Sequence, residues 1–108
     1  MKKFRCPYLG NDIEFSDERE NHIRSNHPDL LPQYLTQIEQ TLNDPDQVNR
    51  SLRMSTARLF YKKFDEIGHG KYIVVVVVSE LNEIIRHWII TAYSTRKITN
   101  GELEWRKT

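Results

Sequence analysis

Cys6 is the lone cysteine in 108 residues, which excludes a disulfide framework and any Cys-x-x-Cys metal pair. That usage fits a reducing compartment, so a cytoplasmic location is expected. Structural zinc sites gather closely spaced ligand pairs, and Cys6 has no such neighbour, so no metal or other cofactor is assigned. No apolar run approaches the ~20 residues that a helix needs to span a bilayer, and no membrane partner is expected. Met1-Lys2-Lys3-Phe4-Arg5 carries charge with no apolar stretch behind it, unlike a secretory signal. Repeats are absent, as are low-complexity segments apart from the run Val74–Val78.

What is present is a hydrophobic fraction of 38% and a charged fraction of 29%, enough for one globular domain over residues 1–108. A net charge of +1 hides an asymmetry. Asn11 to Asp46 holds nine acidic side chains against Arg19 and Arg24, a local charge of −7, whereas Gln47 to Gly101 sums to +5. Between Asp46 and Asp65 stand Arg50, Arg53, Arg58, Lys62 and Lys63 with no acid. Such a surface can hold a polyanion, although a solvated strand face explains the charge equally well.

The stretch Phe15 to Pro28 reads as a short, well-capped helix. Ser16 or Asp17 can cap it, and Asp17 with Glu20 resembles a capping box. Pro28 disfavours helical geometry at His27 and ends it. Ile23 is its only aliphatic residue, and Arg19, His22, Asn26 and His27 fall on or beside the same stripe. His22 and His27 are five apart, about 140° around the helix, so they flank that stripe. A second helix is expected from Asp29, with Leu31, Leu35, Ile38 and Leu42 facing the core until Asn43-Asp44-Pro45-Asp46 stops it.

From Gln47 the period changes to two. Val48, Arg50, Leu52 and Met54 alternate with polar residues, and Arg58–Phe64 follows as a second strand with Leu59, Tyr61 and Lys63 opposite Phe60, Lys62 and Phe64. After Gly68-His69-Gly70, the unbroken β-branched run Ile73–Val78 implies a strand buried on both faces. Ile84–Ser94 is long enough for another central strand, with Ile84, Arg86, Trp88, Ile90 and Ala92 on one face and Ile85, His87, Ile89, Thr91 and Tyr93 on the other. Asn100-Gly101 should turn the tail back as a short hairpin. The expected fold is α+β, two helices covering one face of an antiparallel meander and the other face free.

Cleaving RNA by its own 2′-hydroxyl needs a general base, a general acid and cations or donors for the phosphorane, and no metal, because the nucleophile belongs to the substrate. His22 and His27, with Arg53, Arg58 and Lys62 on the strands, are the right residue types. Thr91 and Tyr93 can donate to phosphate, and Tyr61 can stack on a base. Each has an ordinary structural explanation too: an exposed helix histidine, a helix-end histidine, a solvated strand lysine and ordinary strand residues. His69 reads as a turn residue and His87, between Ile85 and Ile89, as structural.

The order Phe15-Ser16-Asp17-Glu18-Arg19, His22-Ile23, His27-Pro28-Asp29, Asp44-Pro45-Asp46-Gln47-Val48, Phe60-Tyr61-Lys62-Lys63, Thr91-Ala92-Tyr93-Ser94-Thr95, Lys97-Ile98, Gly101 and Trp105 resembles the phage-associated branch of the barnase, EndoU, colicin and RelE-like (BECR) nucleases. The resemblance implies two N-terminal helices packed on one face of a four- to five-stranded antiparallel sheet. It also implies metal-independent endoribonuclease activity of a toxin or mobile-element effector, with RNA as substrate and a protein inhibitor as partner. By position, the family's helix histidine matches His22, its histidine before proline His27, its basic strand residue Lys62, and its strand hydroxyls Thr91 and Tyr93. Relatives carry Arg and Glu around the second histidine where this chain has Asn26 and Asp29, which weakens phosphate binding there unless Arg24, Arg53 or Arg58 compensates. The rival expectation is a non-catalytic RNA- or protein-binding module that keeps the fold.

Overall fold

In the computed structural model, which describes residues 1–108, the valine run lies in the central strand of a seven-stranded sheet. Along the chain the elements are β1 (Lys2–Cys6), β2 (Asn11–Phe15), α1 (Asp17–Asn26), α2 (Leu35–Asn43), β3 (Gln47–Arg50), β4 (Ala57–Phe64), β5 (Lys71–Leu81), β6 (Ile85–Thr95) and β7 (Glu102–Arg106). Across the sheet the order is β1-β2-β6-β5-β4-β3-β7. Every neighbouring pair is antiparallel except β2 and β6, which meet in parallel at Glu14 and Trp88 alone.

This corrects the expected four- to five-stranded antiparallel sheet behind two N-terminal helices: a hairpin precedes the helices, and the sheet is mixed and has seven strands. Asp12 to Phe15 reads as a short strand and is one, whereas β1 offers only Phe4 and Cys6 as inward residues among charged ones and reads as an irregular lead-in. Pro7 to Gly10 turns the hairpin, with Gly10 at φ +68°. At the other end, β7 forms no hairpin with β6. The chain turns at Asn100-Gly101, but β7 pairs with β3 at the far edge, on the other side of β4 and β5.

Two further boundaries move. Pro32 has no N–H to give and biases Leu31 away from helical geometry. Leu30 and Leu31 are therefore buried from a turn, and α2 starts only at Leu35, with no side-chain cap at Tyr34. β3 ends at Arg50, and Leu52 and Met54 stand exposed in the β3–β4 loop. By contrast α1 forms where its signals place it: the Ser16 hydroxyl accepts from the Arg19 N–H at 3.2 Å, and the helix ends before His27.

Both helices pack on one face. Ile23, Leu30, Leu31, Ile38 and Leu42 join Phe4, Ile13, Phe15, Phe60, Ile73, Val75, Val77, Ile89 and Ala92 in a single core. A β-bulge in β6 decides which residues face it. Val76 pairs with Thr91 but Val77 pairs with Ile89, leaving Ile90 as the extra residue. Ile89 and Ala92 consequently both point into the core, whereas strict alternation had put Ile89 beside Thr91 and Tyr93. Thr91 and Tyr93 stay on the open face.

A charged stitch fastens the β1–β2 turn to the last strand. Glu104 accepts from the Tyr8 hydroxyl and from Arg50 and Arg58 at 2.9 and 2.8 Å, while Tyr8 packs against Phe60 and Trp105. Burial pushes the Glu104 carboxyl upward, but these three donors outweigh it and hold it at about 2. The same burial, with the Glu104 carboxylate, pushes Tyr8 up to about 12.

Two outcomes follow for urea denaturation. Ile38→Ala, at a wholly buried site, should lose ~2–5 kcal/mol, whereas exposed Leu52→Ala should stay within ~0.5 kcal/mol of wild type. Because Glu104 is more acidic in the folded chain than its ordinary value of 4.5, its stabilisation is complete above that pH and is lost as pH falls through about 2. Glu104→Gln should be less stable at neutral pH and should lack most of that acid-induced loss.

Candidate functional site

The face away from the helices is laid out in rows across three strands. Leu59, Val76 and Thr91 form one row, and Tyr61, Val74 and Tyr93 the next. The β6–β7 connection crosses this face, where Ile98 packs against Leu59, Tyr61 and Val74. The backbone carbonyl of Asn100 accepts from the Tyr61 hydroxyl at 3.0 Å and from Asn49 Nδ2 at 2.8 Å. Gln47 in turn donates to Asn49 Oδ1 at 2.8 Å, so a buried polar chain runs from β3 to the crossing segment. Burial, and after it the neighbouring Tyr93 hydroxyl, pushes Tyr61 up to about 12.

Beside this crossing lies an open pocket of about 470 Å³. Leu59 and Val76 form its floor, Ser51–Arg53 of the β3–β4 loop one wall, and Tyr93 with Thr99–Gly101 the other. Arg53 is its only charged lining residue. The Tyr93 hydroxyl accepts from Asn100 Nδ2 at 2.9 Å. Thr91 stands two residues from Tyr93 on the same face.

His27 reaches Tyr93 around the sheet edge. Since β2 touches β6 at one residue pair, the rest of that edge of β6 is free for α1, and Arg19 extends to the Ile90 carbonyl at 3.5 Å. At the C-cap of α1 the His27 ring comes to 6.3 Å from the Tyr93 ring, centroid to centroid, at 36°. Asp29 follows, and accepts from the Ser94 hydroxyl at 3.3 Å. His22 is exposed on α1, with its Nδ1 3.2 Å from Asn26 Nδ2 and its carbonyl accepting from the same amide at 2.9 Å.

The other sequence candidates lie elsewhere. Lys62 is on the helix-side face of β4, where its ammonium donates to the Asp44 carbonyl at 2.8 Å and stands 3.3 and 3.8 Å from the Asp44 and Asp46 carboxylates. It ties the end of α2 to the sheet and does not meet His27 or Tyr93. Arg58 is on that same face, committed to Glu104. Tyr61 is 1% exposed, edge-on to Tyr72, and offers no ring face for a base to stack upon. His87 is buried with its Nδ1 2.7 Å from the Ser79 hydroxyl, and burial lowers its pKa. Cys6 is wholly buried in the core.

Residues 3–106 match the family model described as phage-Barnase-EndoU-ColicinE5/D-RelE like nuclease2. The chain belongs to that family. No curated protein and no solved structure matches it. Membership makes it a BECR nuclease-like domain with nucleic acid as its substrate class, and no helix is long and apolar enough to cross a membrane.

Within this BECR domain, Asn100, Thr99 and Ser51 were missed by sequence reasoning. Asn100-Gly101 was legible as a turn and nothing more, because which strand face the turn would close over depends on β7 pairing with β3. Gly101 sits at φ +83°, and a Cβ there would lie 2.6 Å from the Arg50 carbonyl oxygen. Gly101→Ala should therefore lose ~1–3 kcal/mol of stability in denaturant melts, through backbone strain and displacement of Asn100.

Proposed function

We propose that the domain is an endoribonuclease that cuts RNA by internal transesterification on the open sheet face. The observation that supports this most is the approach of the His27 ring to Tyr93 on the rim of a pocket holding Arg53. In this reading the scissile phosphate lies in that pocket. The substrate 2′-oxygen forms a bond to phosphorus as its proton leaves to a base, and the bond to the 5′-oxygen breaks as that oxygen gains a proton from an acid. The products are a 2′,3′-cyclic phosphate and a 5′-hydroxyl. His27 is the proton-transfer group nearest Tyr93, and His22, on the same helix, is the candidate for the opposite transfer. Arg53 supplies positive charge as the phosphorane develops, and Tyr93 and Thr91 supply hydrogen bonds. Lys62, Arg58 and Tyr61 support the scaffold in this reading.

A second reading has its own observation. With Lys62 and Arg58 spent on carboxylates away from the pocket, Arg53 is the pocket's single cation. A module that binds single-stranded nucleic acid without turnover needs no more.

One assay separates them. Purified protein incubated with mixed RNA in EDTA should yield fragments ending in 2′,3′-cyclic phosphate, and His27→Ala should slow this by at least ~100-fold, the scale of a lost acid or base. Circular dichroism should show the variant folded. Binding without cleavage by folded wild type would favour the second reading, and loss of cleavage on chelation would overturn the metal-independent mechanism.

A further inference from the structure

Asn100 carries no charge and no titratable group, yet the structure spends an unusual amount of buried polar chemistry on fixing it. Its carbonyl is gripped by Tyr61 and Asn49, which are 1% and 3% exposed. Asn49 is itself steadied by Gln47, and the next residue is a glycine that no other residue could replace without meeting the Arg50 carbonyl. Buried groups of this kind are costly unless fully satisfied, and here they are, so the set defines one backbone position. What that position delivers is the Asn100 side chain, whose Nδ2 donates to the Tyr93 hydroxyl at 2.9 Å on the wall of the open-face pocket.

The direction of that hydrogen bond matters. Tyr61 spends its proton on the Asn100 carbonyl, and Asn49 and Asn100 spend amide protons on the Asn100 carbonyl and the Tyr93 oxygen. Of the hydroxyls in the set, that of Tyr93 accepts from Asn100 and, apart from the Tyr61 hydroxyl beside it, has no acceptor for its own proton. A phenol whose oxygen already accepts is left to donate. We infer that Asn100 is a positioning residue that turns the Tyr93 hydroxyl into a fixed hydrogen-bond donor for a phosphate oxygen of a nucleic acid bound in the pocket. This rests on the reading that the pocket takes a phosphate of bound nucleic acid, whether or not that phosphate is cut. It adds the residue that sets the polarity of Tyr93.

The side chain can be altered without touching the clamp, because Tyr61 and Asn49 hold the backbone carbonyl of residue 100. Asn100→Asp has nearly the same shape but can only accept, so the Tyr93 proton turns toward the new carboxylate and is lost to the phosphate. Asn100→Asp should therefore lower kcat for RNA cleavage by about tenfold or more, as should Tyr93→Phe, with an unchanged melting temperature. Asn100→Ala should lower kcat in wild type and add nothing in a Tyr93→Phe background, since the two residues act as one unit. Full activity of Asn100→Asp, or additive losses in the double variant, would overturn the inference while leaving the nuclease reading intact.

Binding of a fluorescent 2′-O-methyl oligoribonucleotide, which cannot be cut, separates the two claims. If wild type binds this probe but cuts no RNA, the nuclease reading fails, and the inference stands when Asn100→Asp and Tyr93→Phe each weaken binding by about tenfold. It falls if Tyr93→Phe weakens binding and Asn100→Asp does not. It also falls if folded wild type neither cuts RNA nor binds the probe, because no phosphate is then held there.

Discussion

Five consecutive valines in one strand, four of them buried, oblige the chain to cover both faces of its sheet. Val74 and Val75 point to opposite sides and are each wholly inaccessible to solvent, so neither face over β5 is left bare. The helices supply one cover and the β6–β7 connection the other. The helix side is thick and apolar, closed by Ile23, Leu30, Leu31, Ile38 and Leu42. The opposite side is covered by a thin segment carrying Ile98 and Asn100, which cannot seal the whole surface, and the gap beside it is the pocket. A cavity bounded by sheet, loop and crossing segment follows directly from the burial demand of the central strand.

The same geometry brings His27 from the helix layer to the open face. A helix packed squarely on the sheet would keep its side chains on one side. Here β2 leaves β6 after a single pair, and α1 lies along the vacated edge. Its final turn is then level with that edge, and the residue at its C-cap reaches Tyr93. The proline after His27 ends the helix where this reach is needed.

Elements whose signals are local were legible in the sequence. The Ser16 cap, the stop at Pro28, the core stripe of Ile38 and Leu42, and the burial of β5 all depend on neighbours in sequence. The failures depend on partners far along the chain. The first and last strands have few apolar residues and gain their strand character from pairing, β1 with β2 and β7 with β3. The bulge at Ile90 is invisible without the register of β5 against β6. Of the candidate site, residue types and resemblance together named His27 and Tyr93 singly, and nothing in the sequence brought their rings side by side. The parity of β4 already separated Lys62 from Tyr61, but only the observed pairing shows that Tyr93 shares the face of Tyr61.

The wall formed by Thr99–Gly101 also gives the molecule a temporal property. Those residues follow every other residue that lines the pocket, and they are held by Asn49 of β3 and Tyr61 of β4, 51 and 39 residues before Asn100. A chain emerging from a ribosome can form α1, α2 and much of the sheet while the pocket still lacks one side. Long-range closures of this kind are also the slow steps of folding. The pocket therefore gains its last wall only when Thr99–Gly101 reach back to β3 and β4.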